Sequence, residues 1–440
     1  LMAGRDHATR FALRPRVRDD GRVHITLFTV GSRGDVEPYI ALGRGLVAMG
    51  HTVRLSTHAR YELEALEAGM EFSPASGDPR HIVESETGGK WLASGRNPVR
   101  IMKRLLDVSG PIFHQYLKDC EAAAAGTDAV LFSVLAFPAY HLAEAARIPA
   151  IGAYLQPMTR TREFPSLFVK RSWSRFLNLW SHIAVEQITW QPIRREVNRW
   201  RTGLGVGPLP RSGLYRPIYK SMPVLYGFSP EVVPPPSDWP EQTKVTGYWV
   251  RQRPESWRPS EALTRFLGEG PAPVYVGFGS RPERKPEALT GVVQAAVRRA
   301  EKRAVLLTGW GGLKISDSSD DVLVVDDVPH DWLFPRMAAV VHHGGAGTTG
   351  AALQSGIPSV VVPSFADQFF WGERVENLGV GVNLPRRRLT VESLAQAIRT
   401  TNDDHIRTRA AELGARLRAE DGVARAIEQL ATFLTGRLEP

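Results

Sequence analysis

The chain repeats one order of elements: a short apolar run, a glycine turn and a helical segment. The first run, residues 24–30 (HITLFTV), is apolar and rich in β-forming residues, which is typical of a strand buried in a parallel sheet. A turn at Gly31, a helical pattern up to Gly50 and a second run at residues 51–57 complete a βαβ unit. The series continues with residues 128–132 and 150–154.

The same order returns in the second half, with apolar runs at residues 274–278, 304–307, 322–325, 338–341 and 359–362. We therefore predict an α/β fold with two Rossmann-like, doubly wound domains that face a cleft. A Pro- and Trp-rich segment between the two series is the expected linker. The predicted division is a flexible basic tail, an N-terminal domain, a linker, a C-terminal domain and C-terminal helices, at residues 1–21, 22–225, 226–260, 261–405 and 406–440. Because ligands of such sheets bind beyond the carboxyl ends of the strands, the cleft is the expected site.

Composition is that of an ordinary globular protein. Of 440 residues, 43% are hydrophobic and 23% are charged, which excludes collagen, coiled coil and wholesale disorder. The single cysteine, Cys120, excludes an intramolecular disulfide and suits a reducing compartment. No run approaches the ~18 uncharged apolar residues of a membrane span, and the first residues lack the apolar core of a signal peptide. We therefore expect a cytoplasmic location.

The most specific motif is HHGGAGTTG, from His342 to Gly350, between an apolar run and a helical segment. Gly345, Gly347 and Gly350 fit G-x-G-x-x-G, a turn whose backbone N–H groups approach a diphosphate at a helix N-terminus. A tight turn without a ligand is the alternative. A nicotinamide-dependent oxidoreductase is another reading, and it expects an acidic residue about 20 positions further on. Asp367 stands 17 positions after Gly350 but follows a strand and a Pro-Ser-Phe segment, which is a poor place for a ribose contact.

A second glycine turn, GSRGDVEP at residues 31–38, places Asp35 at the mouth of the N-terminal sheet. A general base at this position can face the cleft. The alternative is that Asp35 caps the helix that follows. Arg33 is expected to lower the pKa of this carboxyl, whereas a carboxylate that acts as a base needs a desolvated site. At a third turn, GFGS, the hydroxyl of Ser280 can reach a phosphate.

Several common motifs are missing from the sequence. It contains no Walker A, D-x-D, C-x-x-C, H-E-x-x-H or G-x-S-x-G pattern. These absences argue against P-loop phosphoryl transfer, metal-dependent sugar transfer, zinc sites of that type and the usual hydrolase elbow. His342 and His343 lack a spaced third ligand, so no metal site is predicted.

The nucleotide-sugar signature of GT-B glycosyltransferases resembles three segments: VPHDWLFP (328–335), HHGGAGTT (342–349) and PSFADQFFWG (363–372). The variant is similar to that of sterol glucosyltransferases and of bacterial antibiotic and polyketide glycosyltransferases, of the family 1, UDP-glycosyltransferase-like type. TVGSRGDVEPYIALG (29–43) resembles their N-terminal motif. The resemblance covers about residues 22–405 and is loose over about 60–220.

This resemblance implies a GT-B fold with an acceptor-binding N-terminal domain and a nucleotide-sugar-binding C-terminal domain. It implies an inverting, metal-independent hexosyltransferase that needs no cofactor. The donor would be a nucleotide-diphosphate sugar, with UDP-glucose favoured over a dTDP-sugar. The acceptor would be a hydrophobic hydroxylated molecule such as a sterol, polyketide, macrocycle or other natural product. Asp35 would be the catalytic residue, in place of the histidine of many relatives. The residues implied to bind the nucleotide-sugar are Ser32, Ser280, Trp310, Val328, His342, Gly345, Ala346, Gly347, Thr348, Asp367 and Gln368.

The resemblance also assigns roles within that set. His342 would contact the diphosphate, Asp367 and Gln368 the sugar hydroxyls, and Val328 the base. Trp310 would pack on the base or, alternatively, belong to the edge of the core. In plant-type relatives a glutamate eight positions after the signature histidine binds ribose, and Gly350 stands there in this chain. Donor preference is therefore not readable from that position.

The net charge of +9 lies in one segment. Residues 160–220 hold twelve Arg or Lys against three Glu, together with four of the eleven tryptophans. Apolar residues recur there at helical spacing, with arginines beside or opposite them. One reading is two ordinary helices with a solvated basic face. The other is a surface that walls the acceptor cleft and touches an anionic membrane peripherally, in an enzyme or in a non-catalytic binding protein. Neither reading predicts a nucleic-acid partner.

Overall fold

The computed structural model describes residues 22–78, 86–170, 174–213, 222–279, 286–308 and 320–435. Within these ranges the chain forms two parallel β-sheets whose strands alternate with helices. This architecture confirms the predicted α/β fold with two doubly wound domains. The basic tail at residues 1–21 lies outside the described residues.

The N-terminal sheet contains seven strands: β1 His24–Phe28, β2 Thr52–Thr57, β3 Glu71–Pro74, β4 Ala129–Phe132, β5 Ala150–Tyr154, β6 Val224–Tyr226 and β7 Thr243–Val245. All pair in parallel in the order β3-β2-β1-β4-β5-β6-β7. The helices of this half are α1 Arg33–Ala48, α2 Glu62–Glu67, α3 Glu86–Leu92, α4 Pro98–Ala124, α5 Pro138–Ala146 and α6 Arg175–Gly203. Ile25 and Leu27 of β1 are fully buried, as expected of a central parallel strand.

The C-terminal sheet contains six strands: β8 Val274–Gly277, β9 Ala304–Leu307, β10 Val322–Val325, β11 Ala339–His342, β12 Ser359–Val361 and β13 Gly381–Asn383. They pair in parallel in the order β10-β9-β8-β11-β12-β13. The helices of this half are α7 Glu261–Gly268, α8 Pro286–Arg299, α9 His330–Leu333, α10 Ala346–Ser355, α11 Gln368–Asn377, α12 Val391–Thr400, α13 Asp404–Arg418 and α14 Gly422–Thr435.

The strand order locates a ligand crevice in each sheet. Successive connections run in opposite directions from the β1–β4 pair and from the β8–β11 pair. Ligands of doubly wound sheets bind at such a switch point, outside the carboxyl ends of the strands. The glycine turn that begins at Gly31 follows β1, and the turn that begins at His343 follows β11. The fold therefore brings both sequence motifs to the two crevices.

Two elements depart from the predicted division of the chain. Thr243–Val245, inside the segment expected to be a linker, is the edge strand β7 because it pairs with β6. Helix α14 returns to the N-terminal domain, where Val423 and Ile427 pack on Gly45 of α1. A Cβ atom at Gly45 would lie 2.7 Å from Val423 Cγ1 and 2.8 Å from Ile427 Cδ1. The helices at the end of the chain thus belong partly to the N-terminal half.

The basic aromatic segment contains one long helix where two were predicted. Residues 175–203 form α6 without a break, although Pro192 lies inside it. Trp190 and Val197 are buried in the core, which is the ordinary structural role of such a stripe. Trp173, at the upstream end of the predicted pattern, lies outside the described residues. None of the helices in the described part of the chain is long and apolar enough to cross a membrane.

Candidate active site

A cavity of about 2420 Å³ separates the two sheets, and residues from both halves line it. Nine of the residues predicted to act in catalysis or donor binding lie on its wall: Ser32, Asp35, Val328, Gly345, Ala346, Gly347, Thr348, Asp367 and Gln368. Ser280 and Trp310 lie outside the described residues. The fold therefore assembles most of the predicted site in one cleft.

The turn between β11 and α10 is built to hold an anion. Gly344 has φ +88°, a conformation that a side chain disfavours, and Gly345 is the N-cap of α10. The N–H groups of the first helical turn lack intrahelical acceptors and carry the positive end of the helix dipole. Ala346, Gly347 and Thr348 belong to this turn and line the cavity. A phosphate group in the cleft would meet these amides.

His342 lies behind this turn, at the end of β11, and its side chain is fully buried. Nδ1 accepts a hydrogen bond from the Gly344 N–H over 3.1 Å, so the ring proton belongs on Nε2. Nε2 has no hydrogen-bond partner among the described residues. Burial, with His343 and His330 nearby, lowers the pKa of His342 to about 3, and the ring is neutral at pH 7. His343, not His342, lines the cavity, so contact between His342 and a diphosphate stays a prediction.

Asp35 lies in the first turn of α1 and has both of the predicted placements. Its Oδ2 accepts hydrogen bonds from the Ser32 N–H at 2.8 Å and from Ser32 Oγ at 3.0 Å, which caps the helix. The carboxyl group also lines the cavity. Gly31 allows this placement, because it has φ +145° and a Cβ atom there would lie 2.4 Å from Oδ2. The capping oxygen and the cleft are thus served by one side chain.

The electrostatic surroundings of Asp35 differ from the expectation based on Arg33. Burial raises the pKa of Asp35, and the hydrogen bonds from Ser32 oppose this effect only in part. The guanidinium of Arg33 lies elsewhere: Nε donates to Glu37 Oε1 at 2.7 Å and NH1 donates to Asp327 Oδ1 at 2.6 Å. The expectation that Arg33 lowers the pKa of Asp35 is therefore wrong. A carboxylate with a raised pKa is a better proton acceptor than a free aspartate.

Asp367 and Gln368 begin α11 on the opposite side of the cleft. Asp367 Oδ2 accepts a hydrogen bond from Trp371 Nε1 at 3.0 Å, and burial together with the charge of Asp35 raises the pKa of Asp367 to about 7. Gln368 Oε1 accepts three hydrogen bonds of 3.1 Å, from the N–H and Oγ of Ser364 and from the Phe365 N–H. The amide NH₂ of Gln368 is thereby left as the donor. The pair offers one acceptor and one donor side chain to a ligand.

The apolar wall of the cavity is the part that sequence reasoning missed. Helix α4 contributes Ile101, Leu105, Val108 and Ile112, which recur at helical spacing along one face. From the basic aromatic segment only Leu167 and Phe168 line the cavity. The prediction that residues 160–220 wall the acceptor cleft is wrong for α6, because the buried stripe of α6 packs into the core instead. The periodicity of α4 is a signal that was available in the sequence.

Much of the positive charge of the basic aromatic segment is paired. Arg201, 2% exposed, donates to Glu144 and to Nδ1 of His141, and Arg160 pairs with Glu186. At the N-terminal end of α6, in contrast, Phe176 and Trp180 are 59% and 51% exposed. Leu177 is also exposed beside them. We call Phe176, Leu177 and Trp180 the apolar tip of α6.

Family models match both halves of the chain. Residues 25–165 match the glycosyltransferase family 28 N-terminal domain, and residues 307–430 match the erythromycin biosynthesis protein CIII-like C-terminal domain. The chain is a homologue of the GT-B glycosyltransferases. It is 38% identical over 423 residues to a sterol 3-beta-glucosyltransferase of Emericella nidulans, an alignment that covers 92% of this chain. It is likewise 38% identical over 433 residues to a sterol 3-beta-glucosyltransferase of Cryptococcus neoformans, with 92% of this chain covered. The chain spans only about 30% of the length of these relatives.

Solved structures confirm the GT-B fold. The glycosyltransferase of kitacinnamycin superposes with a TM-score of 0.69 at 22% identity, covering 93% of this chain and 98% of that one. The calicheamicin glycosyltransferase CalG4 superposes with a TM-score of 0.68 at 20% identity, covering 95% and 100%. The GT-B arrangement therefore extends over nearly all of the chain, including the acceptor region where the sequence motifs are sparse.

Proposed function

We propose that this chain is a glycosyltransferase that moves a hexose from a nucleotide-diphosphate sugar to a hydroxyl group of a hydrophobic acceptor. The observation that carries the proposal is the shared cavity. Asp35, the amide turn of α10 and the Asp367–Gln368 pair lie on its wall together with the apolar face of α4. The homology to sterol 3-beta-glucosyltransferases supports a sterol or another flat, apolar alcohol as the acceptor.

The donor is bound by fixed dipoles in this proposal. Backbone N–H groups of Ala346, Gly347 and Thr348 hold the diphosphate, while Gln368 donates to a sugar hydroxyl and Asp367 accepts from one. UDP-glucose is favoured because the relatives are glucosyltransferases. A dTDP-sugar is the second candidate, since the structural neighbour VinC is a complex with dTDP. We further propose that no cofactor or metal ion takes part, and activity in excess EDTA tests this point.

The reaction we propose is a single displacement. The acceptor hydroxyl donates a hydrogen bond to Asp35 and attacks the anomeric carbon from the face opposite the diphosphate. As the new C–O bond forms, the bond to the diphosphate breaks and the hydroxyl proton passes to the Asp35 carboxylate. The amide turn and the dipole of α10 stabilise the charge that develops on the leaving group. Attack from the opposite face inverts the anomeric configuration.

The apolar tip of α6 supports a second proposal, peripheral contact with an anionic membrane. Phe176, Leu177 and Trp180 are exposed, and the cations Lys170 and Arg175 lie beside them in the chain. Aromatic and cationic side chains together suit an interfacial location. Co-sedimentation with vesicles rich in phosphatidylserine should fall for a Phe176→Ser/Trp180→Ser variant and persist for the control Leu63→Ser, which changes another exposed apolar residue. Binding that ignores lipid charge and salt would contradict the proposal.

Two measurements in sequence test the transferase proposal. Nucleoside diphosphates should raise the melting temperature, and UDP or dTDP should do so more than ADP or NADH. The preferred sugar nucleotide is then incubated with a panel of sterols and macrocyclic alcohols, and products are detected by mass spectrometry as a mass gain of one hexose. Fluorescence quenching by NADH without sugar transfer would favour the oxidoreductase alternative. Salt-sensitive binding of polyanions that no nucleotide affects would favour a non-catalytic binding protein.

A further inference from the structure

We propose that Arg96 is a positioning residue that couples the acceptor wall to the loop that binds the donor sugar. This inference rests on the proposed glycosyltransferase function. Arg96 lies between α3 and α4, two residues before the helix that supplies the apolar wall. It does not line the cavity, so its effect on transfer would pass through the residues it holds.

The guanidinium of Arg96 joins three separate segments. NH1 and NH2 donate to Glu373 of α11 at 2.6 and 3.3 Å, and Nε donates to the carbonyl oxygen of Leu167 at 2.8 Å. Its carbon atom Cζ lies 5.6 Å from the ring centroid of Phe369. Leu167 lines the acceptor side of the cavity, and α11 begins at Gln368. One planar group thus fixes the acceptor loop against the donor-sugar helix.

Two neighbouring contacts act on the same loop. The Ala366 N–H donates to the Gly95 carbonyl oxygen at 3.1 Å, and the ring of Trp91 meets the ring of Phe365 edge-on at 5.1 Å. Ala366 has φ +46°, a left-handed conformation that costs free energy in a residue with a side chain. Such a conformation persists only where its surroundings hold it. The segment from Trp91 to Arg96 supplies those surroundings directly before Asp367 and Gln368.

Burial makes the Arg96 contacts effective. The Arg96 side chain is 14% exposed and that of Glu373 31%, so solvent screens this pair less than a surface pair. Loss of the guanidinium would free both the Leu167 carbonyl and the Glu373 carboxylate. The donor-sugar loop and the acceptor loop would then move independently, and a shift of ~1 Å in a reacting group can cost ~10²-fold in rate. The amide turn of α10 has no contact with Arg96 and should keep its affinity for a nucleoside diphosphate.

The test compares Arg96→Met and Arg96→Lys with the control Arg416→Met. Arg416 also pairs across the two halves, with Glu231 at 2.8 Å, but both side chains are about half exposed and neither lines the cavity. For Arg96→Met we expect kcat to fall ~10-fold or more, hydrolysis of the donor to rise relative to transfer, and the Kd for UDP to stay within ~2-fold. Arg96→Lys should be intermediate, because an ammonium cannot replace the bidentate fork. The control should match the parent.

Two outcomes overturn the inference. One is a parental kcat and a parental ratio of hydrolysis to transfer in Arg96→Met; the other is an equal loss in Arg416→Met. If Arg96→Met does not fold, Glu373→Gln removes the charge of the partner alone and should lower kcat ~3-fold with an unchanged Kd for UDP. Hydrogen exchange over residues 364–370 gives a readout without turnover, and it should rise in Arg96→Met but not in Arg416→Met. A parent that transfers no sugar would refute the proposed function, whereas unchanged exchange would refute the role of Arg96.

Discussion

Replacement of Asp35 separates its two roles, because catalysis and helix capping have different magnitudes. A positioned general base contributes ~10²- to 10⁴-fold to a rate, and 10²-fold corresponds to ~2.7 kcal/mol of activation free energy. Loss of a helix cap costs ~1 kcal/mol of folding free energy. Asp35→Ala should therefore lower kcat at least ~10²-fold while the protein stays folded. Asp35→Asn keeps an oxygen that can accept the Ser32 N–H bond, so it should lose the rate but little stability.

The assay combines three measurements on the same preparations. Initial rates of sugar transfer give kcat, calorimetric titration gives the Kd for the nucleoside diphosphate, and thermal unfolding gives Tm. Ser260→Ala is the control, because Ser260 Oγ caps α7 in the same manner at 3.2 Å and lies away from the cavity. It should lower Tm slightly and leave kcat unchanged. An Asp35→Ala variant with parental kcat would reduce Asp35 to a helix cap and refute the mechanism.

Three further predictions test the rest of the site. Gly31→Ala should lower kcat nearly as much as Asp35→Ala, since the new Cβ would lie 2.4 Å from Asp35 Oδ2 at φ +145°; parental kinetics would show that the carboxyl position is not critical. His342→Asn keeps an acceptor for the Gly344 N–H but removes the Nε2–H donor, so calorimetry should show a Kd for UDP raised ~10-fold; an unchanged Kd would remove His342 from the phosphate site. Because the pKa of Asp367 is raised to about 7, its protonated form favours the folded state, and stability should decrease as pH rises from about 4 to about 7. Asp367→Asn should flatten that slope in denaturant titrations, and the same slope in both proteins would contradict the raised pKa.

The sequence predicted the parts of the site that depend on local patterns. A buried strand followed by glycines and a helix specifies its own turn, so the loops after β1 and β11 could be placed before the fold was known. Because parallel strands end at one edge of a sheet, the meeting of Asp35 with the α10 turn followed from the same reasoning. Asp367 and Gln368 came from the resemblance, not from a pattern with its own physical meaning.

The remainder depended on contacts between distant residues. The apolar face of α4 was readable as periodicity, but nothing local says whether such a face meets the core or a cavity. The burial of Trp190 and the pairing of Arg201 with Glu144 are tertiary outcomes of the same kind, and they turned the basic segment into part of the core. Arg33 is two residues from Asp35 along the chain, yet its guanidinium bonds to Asp327 of the other half.

The return of α14 to the N-terminal half has a mechanical consequence. The chain crosses between the halves once after β7 and again before α14, and the two crossings touch: a Cβ atom at Gly247 would lie 3.0 Å from the Cα of Gly422. Bodies joined by two adjacent straps can swing about that junction, but they cannot slide apart or exchange partners. Opening of the cleft would therefore follow an arc, with the largest displacement at the rim farthest from the straps. Neither half can be cut out at a single point without baring the face of α1 that α14 covers.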